Sequence, residues 1–309
     1  MSAEQPHTYE THGVRQVKDT ISLISKLNKL SPEELLRLHG EQIREFFSQR
    51  SIADGATPVM VCAYNEIGQL EKLASGLMRS GANIQLFVVD NNSTDGTGSY
   101  AESLGAQVIT EGQQGLIHAL RRGFRHFADI EYDQPILLTD ADTVPIPSWP
   151  KTLTSFARNH IPNGGESSGI IKHFDEGIED EDIGERERSR GSTALRRKNV
   201  ALTTGNLVFD ALKASMGRPN PHGPNSVVMP DREGRILHAL ANDLPIQPES
   251  LSPTDIAVRD MIRQQGGRIK FCFNPNAIVV TSGRRYDSVL SVIERAVRPN
   301  VSRVRNYKS

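Results

Sequence analysis

The sequence predicts an α/β protein built on a mostly parallel sheet flanked by helices. From Thr57 onward, short apolar runs (VMVCAY, IQLFVVD, AQVIT, ILLTDAD) alternate with longer amphipathic stretches over 66–80, 96–104 and 116–127. Parallel strands cannot be joined by tight hairpins and need crossover helices, so this alternation marks βαβ units. Two of the runs carry Asp90 and Asp140 at their carboxyl ends, the edge where open α/β sheets collect ligands. A chain of 309 residues, 37% of them hydrophobic, has the apolar mass for one large domain or two coupled ones.

Residues 1–55 read as a helical extension ahead of that sheet. Val14, Val17, Ile21, Ile24 and Leu27 recur at helical spacing. A second helix is signalled by SPEELLRLHGEQIREFF, with Ser31 as N-cap, Pro32 in the first turn and Glu34 completing a capping box. Residues 56–150 hold the βαβ units, and Ile117, Leu120, Phe124 and Phe127 give the helix over 116–127 one apolar stripe.

Over 151–286 the alternation weakens. HFDEGIEDEDIGERERSRGS is acidic first and basic later, lacks apolar periodicity, and reads as an exposed loop near 174–198. VALTTGNLVF reads as a strand. SPTDIAVRDMIRQQGG reads as a helix capped by Ser252, begun by Pro253 and ended by Gly266. RIKFCFNP and AIVVTSGRRY are strand-like again. In the basic tail, 287–309, Arg295, Arg298, Arg303, Arg305 and Lys308 follow apolar Val289, Leu290, Val292 and Ile293. That pattern fits a surface helix or a peripheral contact with anionic lipid.

Charge and cysteine usage exclude several classes. A net charge of −1 is a poor match to a protein that wraps duplex nucleic acid, which needs a basic face. Cys62 and Cys272 sit in apolar runs without a second Cys or His at ligand spacing, and are expected to be packing residues. No stretch approaches the ~20 apolar residues of a membrane span, and MSAEQPHTYE lacks the order of a secretory signal, so a cytoplasmic location is expected.

The chemistry concentrates at ILLTDADTVPIP, where Asp140 and Asp142 follow an apolar run. Two carboxylates one residue apart can clamp a divalent cation against a diphosphate. They can equally be nucleophile and general acid of a phosphatase loop with Thr143, or a polar turn closing a strand. The phosphatase reading fits the context poorly. At least three βα units precede Asp140, and the later acids from Glu179 to Asp182 follow no apolar strand.

TPVMVCAYNE, IQLFVVDNNSTDGT, GAQVIT, QGLIHALRRGF and ILLTDADTVPIPSWP, in this order, resemble the donor-binding half of the family 2 glycosyltransferases, inverting enzymes of the GT-A fold. The resemblance covers roughly 57–286 and implies a Rossmann-like donor half joined to an acceptor half. It implies that Ala63, Tyr64, Asn65, Glu66, Asp90, Asn92, Gly115, Asp140 and Ala141 bind a nucleotide-sugar donor. It implies that Asp142 and Asp140 hold Mg²⁺ or Mn²⁺, that Gly205 and Asn206 lie by the acceptor, and that Asp255 is the general base.

Structural readings of the same residues stay open. Ser93, Thr94 or Asp95 would cap a helix, Gly205 would permit a close strand approach, and Asp255 would complete a capping box from Ser252. The sequence also departs from the family. Gln114 stands where a basic residue is usual, leaving Arg121 or Arg122 as substitutes for a diphosphate contact. No histidine follows His238, so Arg284 and Arg285 are the candidates to carry diphosphate charge. The expected activity is transfer of a sugar from a UDP or GDP sugar to an unknown acceptor, whether glycan, lipid or small molecule. A non-catalytic nucleotide-sugar binder is the alternative.

Overall fold

The apolar run VMVCA is continuous because its strand is covered on both faces. In β1 (Thr57–Ala63), Val59, Val61 and Ala63 enter one hydrophobic core while Met60 and Cys62 face a second. The computed structural model of the chain describes residues 12–27, 29–174, 225–245 and 254–282. The acidic loop from 175, the VALTTGNLVF segment with Gly205 and Asn206, the cap residues Ser252 and Pro253, Arg284, Arg285 and the basic tail lie outside these residues.

The expected βαβ order is present. After β1 come α3 (Ile67–Met78), β2 (Ile84–Asp90), α4 (Thr97–Ser103), β3 (Gln107–Thr110), α5 (Leu116–Asp129) and β4 (Ile136–Asp140). The strand order across the large sheet is β3-β2-β1-β4-β8-β6-β9, where β6 is Gly165–Ser168, β8 is Ser226–Met229 and β9 is Arg268–Phe271. β1 to β4 run parallel, β8 lies antiparallel between β4 and β6, and β9 pairs parallel with β6. The two halves read from the sequence are thus hydrogen-bonded into one sheet.

Helices cover both faces. The larger core takes residues from α3, α4 and α6 (Trp149–His160); the other is roofed by α5, α7 (Arg235–Asn242) and α8 (Thr254–Gln264). Phe124 and Phe127 of the expected α5 stripe are fully buried, and Ile117 and Leu120 pack beside them. Gly123 lies on the same helix where a Cβ would stand 2.3 Å from Met60 Sδ, so α5 rests directly on β1.

The helical extension belongs to the domain. α1 (His12–Leu27) places Ile24 against Val144 and Val280 of a small sheet ordered β5-β10-β7, formed by Thr143–Pro145, Ile278–Ser282 and Ile170–Phe174. α2 (Pro32–Ser48) opens with the expected capping box, Ser31 N donating to Glu34 Oε2 at 2.8 Å and Glu34 N to Ser31 Oγ at 3.3 Å. Its Ile43 and Phe47 are buried in the larger core. No helix among the described residues is long and apolar enough to cross a membrane.

The sequence pattern did not reveal β6, β7, β8 and α7. GESSGIIKHF carries Glu166, Ser167 and Ser168, all buried, at positions where a core strand is expected to be apolar.

Asn225 fastens the two sheets together. Its Oδ1 accepts from Trp149 Nε1 at 2.7 Å, and its Nδ2 donates to Ile170 O at 2.8 Å and Ala277 O at 3.0 Å. Replacing it with an apolar residue leaves a buried indole N–H and two carbonyls short of partners, at about 1 kcal/mol or more each. Asn225→Leu is therefore expected to lower unfolding free energy by about 3 kcal/mol in urea titration. A loss near zero would show that the two sheets do not depend on this residue.

Candidate active site

The carboxyl ends of β1 and β2 are tied to each other before any ligand is considered. Asn65, held at φ 52, donates its N–H to Ser93 Oγ at 3.0 Å and accepts from Thr94 N at its side-chain oxygen at 2.8 Å. Glu66 N donates to Thr97 Oγ1 at 2.9 Å. Asp95 accepts from Thr97 N at 2.9 Å and from Ile67 N, in the first turn of α3, at 3.3 Å. Gly96, not Ser93, Thr94 or Asp95, is the N-cap residue of α4. Much of the polar chemistry of AYNE and NNSTDGT therefore shapes the loops, and the Asn65 side-chain oxygen is engaged by the fold.

Asp90 keeps a different environment. It is half-buried at the end of β2, beside Ala63 in the strand register, and accepts only a long 3.3 Å contact from Ser93 N among the hydrogen bonds that fix this loop. Gly98 makes room for it, since a Cβ there would meet Asp90 Oδ2 at 2.6 Å. Tyr64 and Asn92 are exposed nearby, Asn92 at φ 61.

Asn91 is a positioning residue that sequence reasoning passed over between its two neighbours. It is 4% exposed, donates Nδ2–H to Gln113 O at 2.6 Å and accepts from Gly115 N at 2.7 Å. It thereby sets Gly115, at φ 135, as the N-cap of α5. The arginines expected to replace a basic residue at Gln114 are used otherwise. Arg121 donates to Ala241 O and Asn242 O at the end of α7, and Arg122 Nε donates to Thr110 O at 3.3 Å.

Asp140 ends β4 and Asp142 follows the buried Ala141; both carboxylates are half-buried. Thr143 turns away from them into the small sheet, its hydroxyl donating to Thr281 Oγ1 at 2.8 Å. That placement removes the threonine on which the phosphatase reading relied.

Asp140 and Asp255 line the same cleft, of about 470 Å³ and open to solvent, although they come from β4 and the first turn of α8. Leu116 and Leu120 of α5 and Val258 of α8 form its apolar walls. Apolar walls with a few convergent polar groups are the usual make-up of a small-molecule site. The Cys62 thiol is held protonated, burial and then the Asp140 charge pushing its pKa up, so it serves as packing.

Among the cleft's other polar residues, Glu166 and Ser226 come from β6 and β8, strands that the sequence pattern did not reveal. Burial, followed by the Asp255 charge, pushes the Glu166 carboxyl up to about 8, against the opposing pull of Arg259, Ser226 and Arg263. At neutral pH Glu166 is therefore mainly the neutral acid. A GESS stretch inside a weakly patterned region carries no periodic signal that could single it out.

Among the described residues no group of three or more His, Cys, Asp or Glu could hold a metal. Asp140 and Asp142 instead fit a cation that arrives with a diphosphate, for Mg²⁺-like ions commonly take one or two carboxylates and fill their remaining positions with phosphate oxygens and water.

Residues 59–211, about half of the chain, match the model of glycosyl transferase family 2. The stretch contains Asp90, Gly115, Asp140 and Asp142. Protein RfbJ of Shigella flexneri is 28% identical over 103 residues, 33% of this chain and 78% of that protein. Among solved structures, a mannosyltransferase of Pyrobaculum calidifontis in complex with GDP-Man and Mn²⁺ is 18% identical with a TM-score of 0.46, covering 91% of this chain and 72% of its own. Glucosyl-3-phosphoglycerate synthase of Mycobacterium tuberculosis, in complex with Mn²⁺, UDP and phosphoglyceric acid, is 15% identical with a TM-score of 0.46, covering 84% and 79%.

The elevated Glu166 carboxyl has a consequence for stability. From its ordinary 4.5 to about 8, the unfolded chain ionises this group while the fold keeps it protonated, so the fold binds the extra proton and loses relative stability as pH rises. Below 4.5 both states are protonated and the effect vanishes. Glu166→Gln removes the titration, so its unfolding free energy should gain on wild type by roughly 1 kcal/mol per pH unit between about pH 5.5 and 7.5. A pH-independent difference in urea melts would show that Glu166 ionises normally.

Proposed function

We propose that this chain, which belongs to glycosyl transferase family 2, moves a sugar from a nucleoside-diphosphate donor to an acceptor hydroxyl with inversion at the anomeric carbon. The observation that carries the reading is the meeting of Asp140 and Asp255 in one cleft. A displacement with inversion needs leaving-group stabilisation on one side of the sugar and a base on the other, and these carboxylates come from different elements around a common space.

Asp90, at the strand edge beside β1, is suited to accept hydrogen bonds from a base or ribose, with Ala63, Tyr64, Asn65, Glu66 and Asn92 around it. Asp142, with Asp140, would hold Mg²⁺ or Mn²⁺; such an ion supplies charge that stabilises a departing diphosphate. Gly115 presents the amino end of α5, whose unsatisfied N–H groups favour an anion. Asp255 takes the proton of the acceptor hydroxyl as its oxygen bonds to the anomeric carbon. The bond from that carbon to the phosphate oxygen breaks, and the electron pair leaves with the nucleoside diphosphate.

Donor hydrolysis and calorimetry with UDP, GDP and their sugars in the presence of Mn²⁺ test the reading. Asp255→Asn should reduce turnover by about 10²–10⁴-fold while leaving nucleoside-diphosphate affinity within about twofold. Asp142→Asn should weaken Mn²⁺-dependent binding of the same diphosphate by at least about tenfold. Binding without turnover in wild type would make the chain a nucleotide-sugar binder, and no binding of any nucleoside diphosphate would overturn the reading.

A further inference from the structure

The floor of the cleft carries two polar side-chain atoms that the fold leaves without a well-formed hydrogen bond. Glu166 is 2% exposed and Ser226 is fully buried, and both line the cleft. Neither Glu166 Oε2 nor Ser226 Oγ makes a hydrogen bond of good geometry within the protein, although the Ser226 hydroxyl lies near enough to the Glu166 carboxyl to favour its charged form. Buried polar side chains in folded proteins are nearly always hydrogen-bonded, so two neighbouring exceptions on one cleft wall call for a ligand group that completes them.

Their placement says which part of a ligand that is. In the sheet β8 lies between β4 and β6. Leu138 pairs with Ser226, and Val228 pairs with Glu166, so both polar residues share the face of β4 from which Asp140 projects, two residues beyond Leu138. The floor descends from Asp140 at the strand end past Ser226 to Glu166, and Asp255 is close enough to Glu166 to raise its pKa. A donor anchored by its diphosphate at Asp140 and attacked beside Asp255 lays its sugar across this floor.

We propose that Glu166 and Ser226 form a sugar-recognition subsite that binds a hydroxyl of the transferred sugar. The inference rests on the glycosyltransferase reading. A neutral carboxyl and a serine hydroxyl each both donate and accept, which matches a hydroxyl. The aliphatic side chains of Leu116, Leu120 and Val258 border the same space and suit the C–H surface of a pyranose. Asp255, Arg259 and Arg263 of α8 are the charged groups that bear on Glu166.

The test is calorimetry in Mn²⁺ with UDP, GDP and a panel of their sugars, including UDP-glucose and GDP-mannose, on wild type, Glu166→Ala, Glu166→Gln and Ser226→Ala. For a sugar nucleotide that wild type binds more tightly than its nucleoside diphosphate, Glu166→Ala and Ser226→Ala should each weaken the sugar nucleotide about tenfold, as expected for loss of one buried hydrogen bond. The parent diphosphate should change less than about twofold. Glu166→Gln, which keeps a neutral donor and acceptor, should stay within about threefold for both. Should Glu166→Ala fail to fold, Ser226→Ala, which removes a single oxygen, decides the matter.

Equal effects on sugar nucleotide and diphosphate, no effect on either, or no wild-type preference for any sugar nucleotide overturn the subsite while leaving the glycosyltransferase reading standing. Absence of binding by every nucleoside diphosphate overturns both.

Discussion

β4 is the element on which the site depends. Its parallel pairing with β1 sets Cys62 opposite Asp140, and β1 in turn sets Ala63 opposite Asp90. Its antiparallel pairing with β8 sets Leu138 opposite Ser226. A single strand thereby fixes the spacing of the carboxylates at the sheet's carboxyl edge and the depth of the polar floor on its other side. Because side chains alternate strictly between faces, a one-residue slip on either side would turn Asp140 out of the cleft. Helices on both sheet faces, and Asn225 binding the small sheet to the large one, hold that register in place.

The cleft gathers carboxyl groups and gives them unlike environments. Asp140 and Asp142 lie half-buried at a strand end and suit a cation. Asp255 sits in the first turn of α8, where the helix dipole favours a negative charge. Glu166 is sealed into the sheet and kept protonated by burial and by the Asp255 charge. The four acids can coexist there because Glu166 stays protonated, and a neutral carboxyl can pair with a hydroxyl where another carboxylate would add to the negative charge.

How much was legible in the sequence follows from which residues obey a periodic rule. The βαβ units through Asp140 were readable because buried parallel strands are continuously apolar and their crossovers are amphipathic, and the capping box at Ser31 and Glu34 was readable from residue type alone. Asp90, Asp140, Asp142 and Asp255 were legible as candidates, and Asp140 and Asp255 do share a cleft. Glu166 and Ser226 were not: Glu166 lies in GESS, a polar four-residue strand that resembles a loop, and Ser226 opens SVVM, a strand too short to show a period. Asn91 was hidden for another reason. Its partners, Gln113 and Gly115, lie across the sheet edge, and nothing local distinguishes it from Asn92. Arg121 looked available for phosphate until its contact with the end of α7 came into view, a tertiary pairing without a sequence signature.

A crystal structure with a bound nucleoside diphosphate and Mn²⁺, with the ion located by its anomalous scattering, tests the central claim most directly. The expected result is a Mn²⁺ peak coordinated by the Asp142 carboxylate, beside Asp140 and bridged to the diphosphate, with the base or ribose against Asp90. A peak away from Asp140 and Asp142, or a nucleotide bound outside the edge formed by β1, β2 and β4, would contradict it.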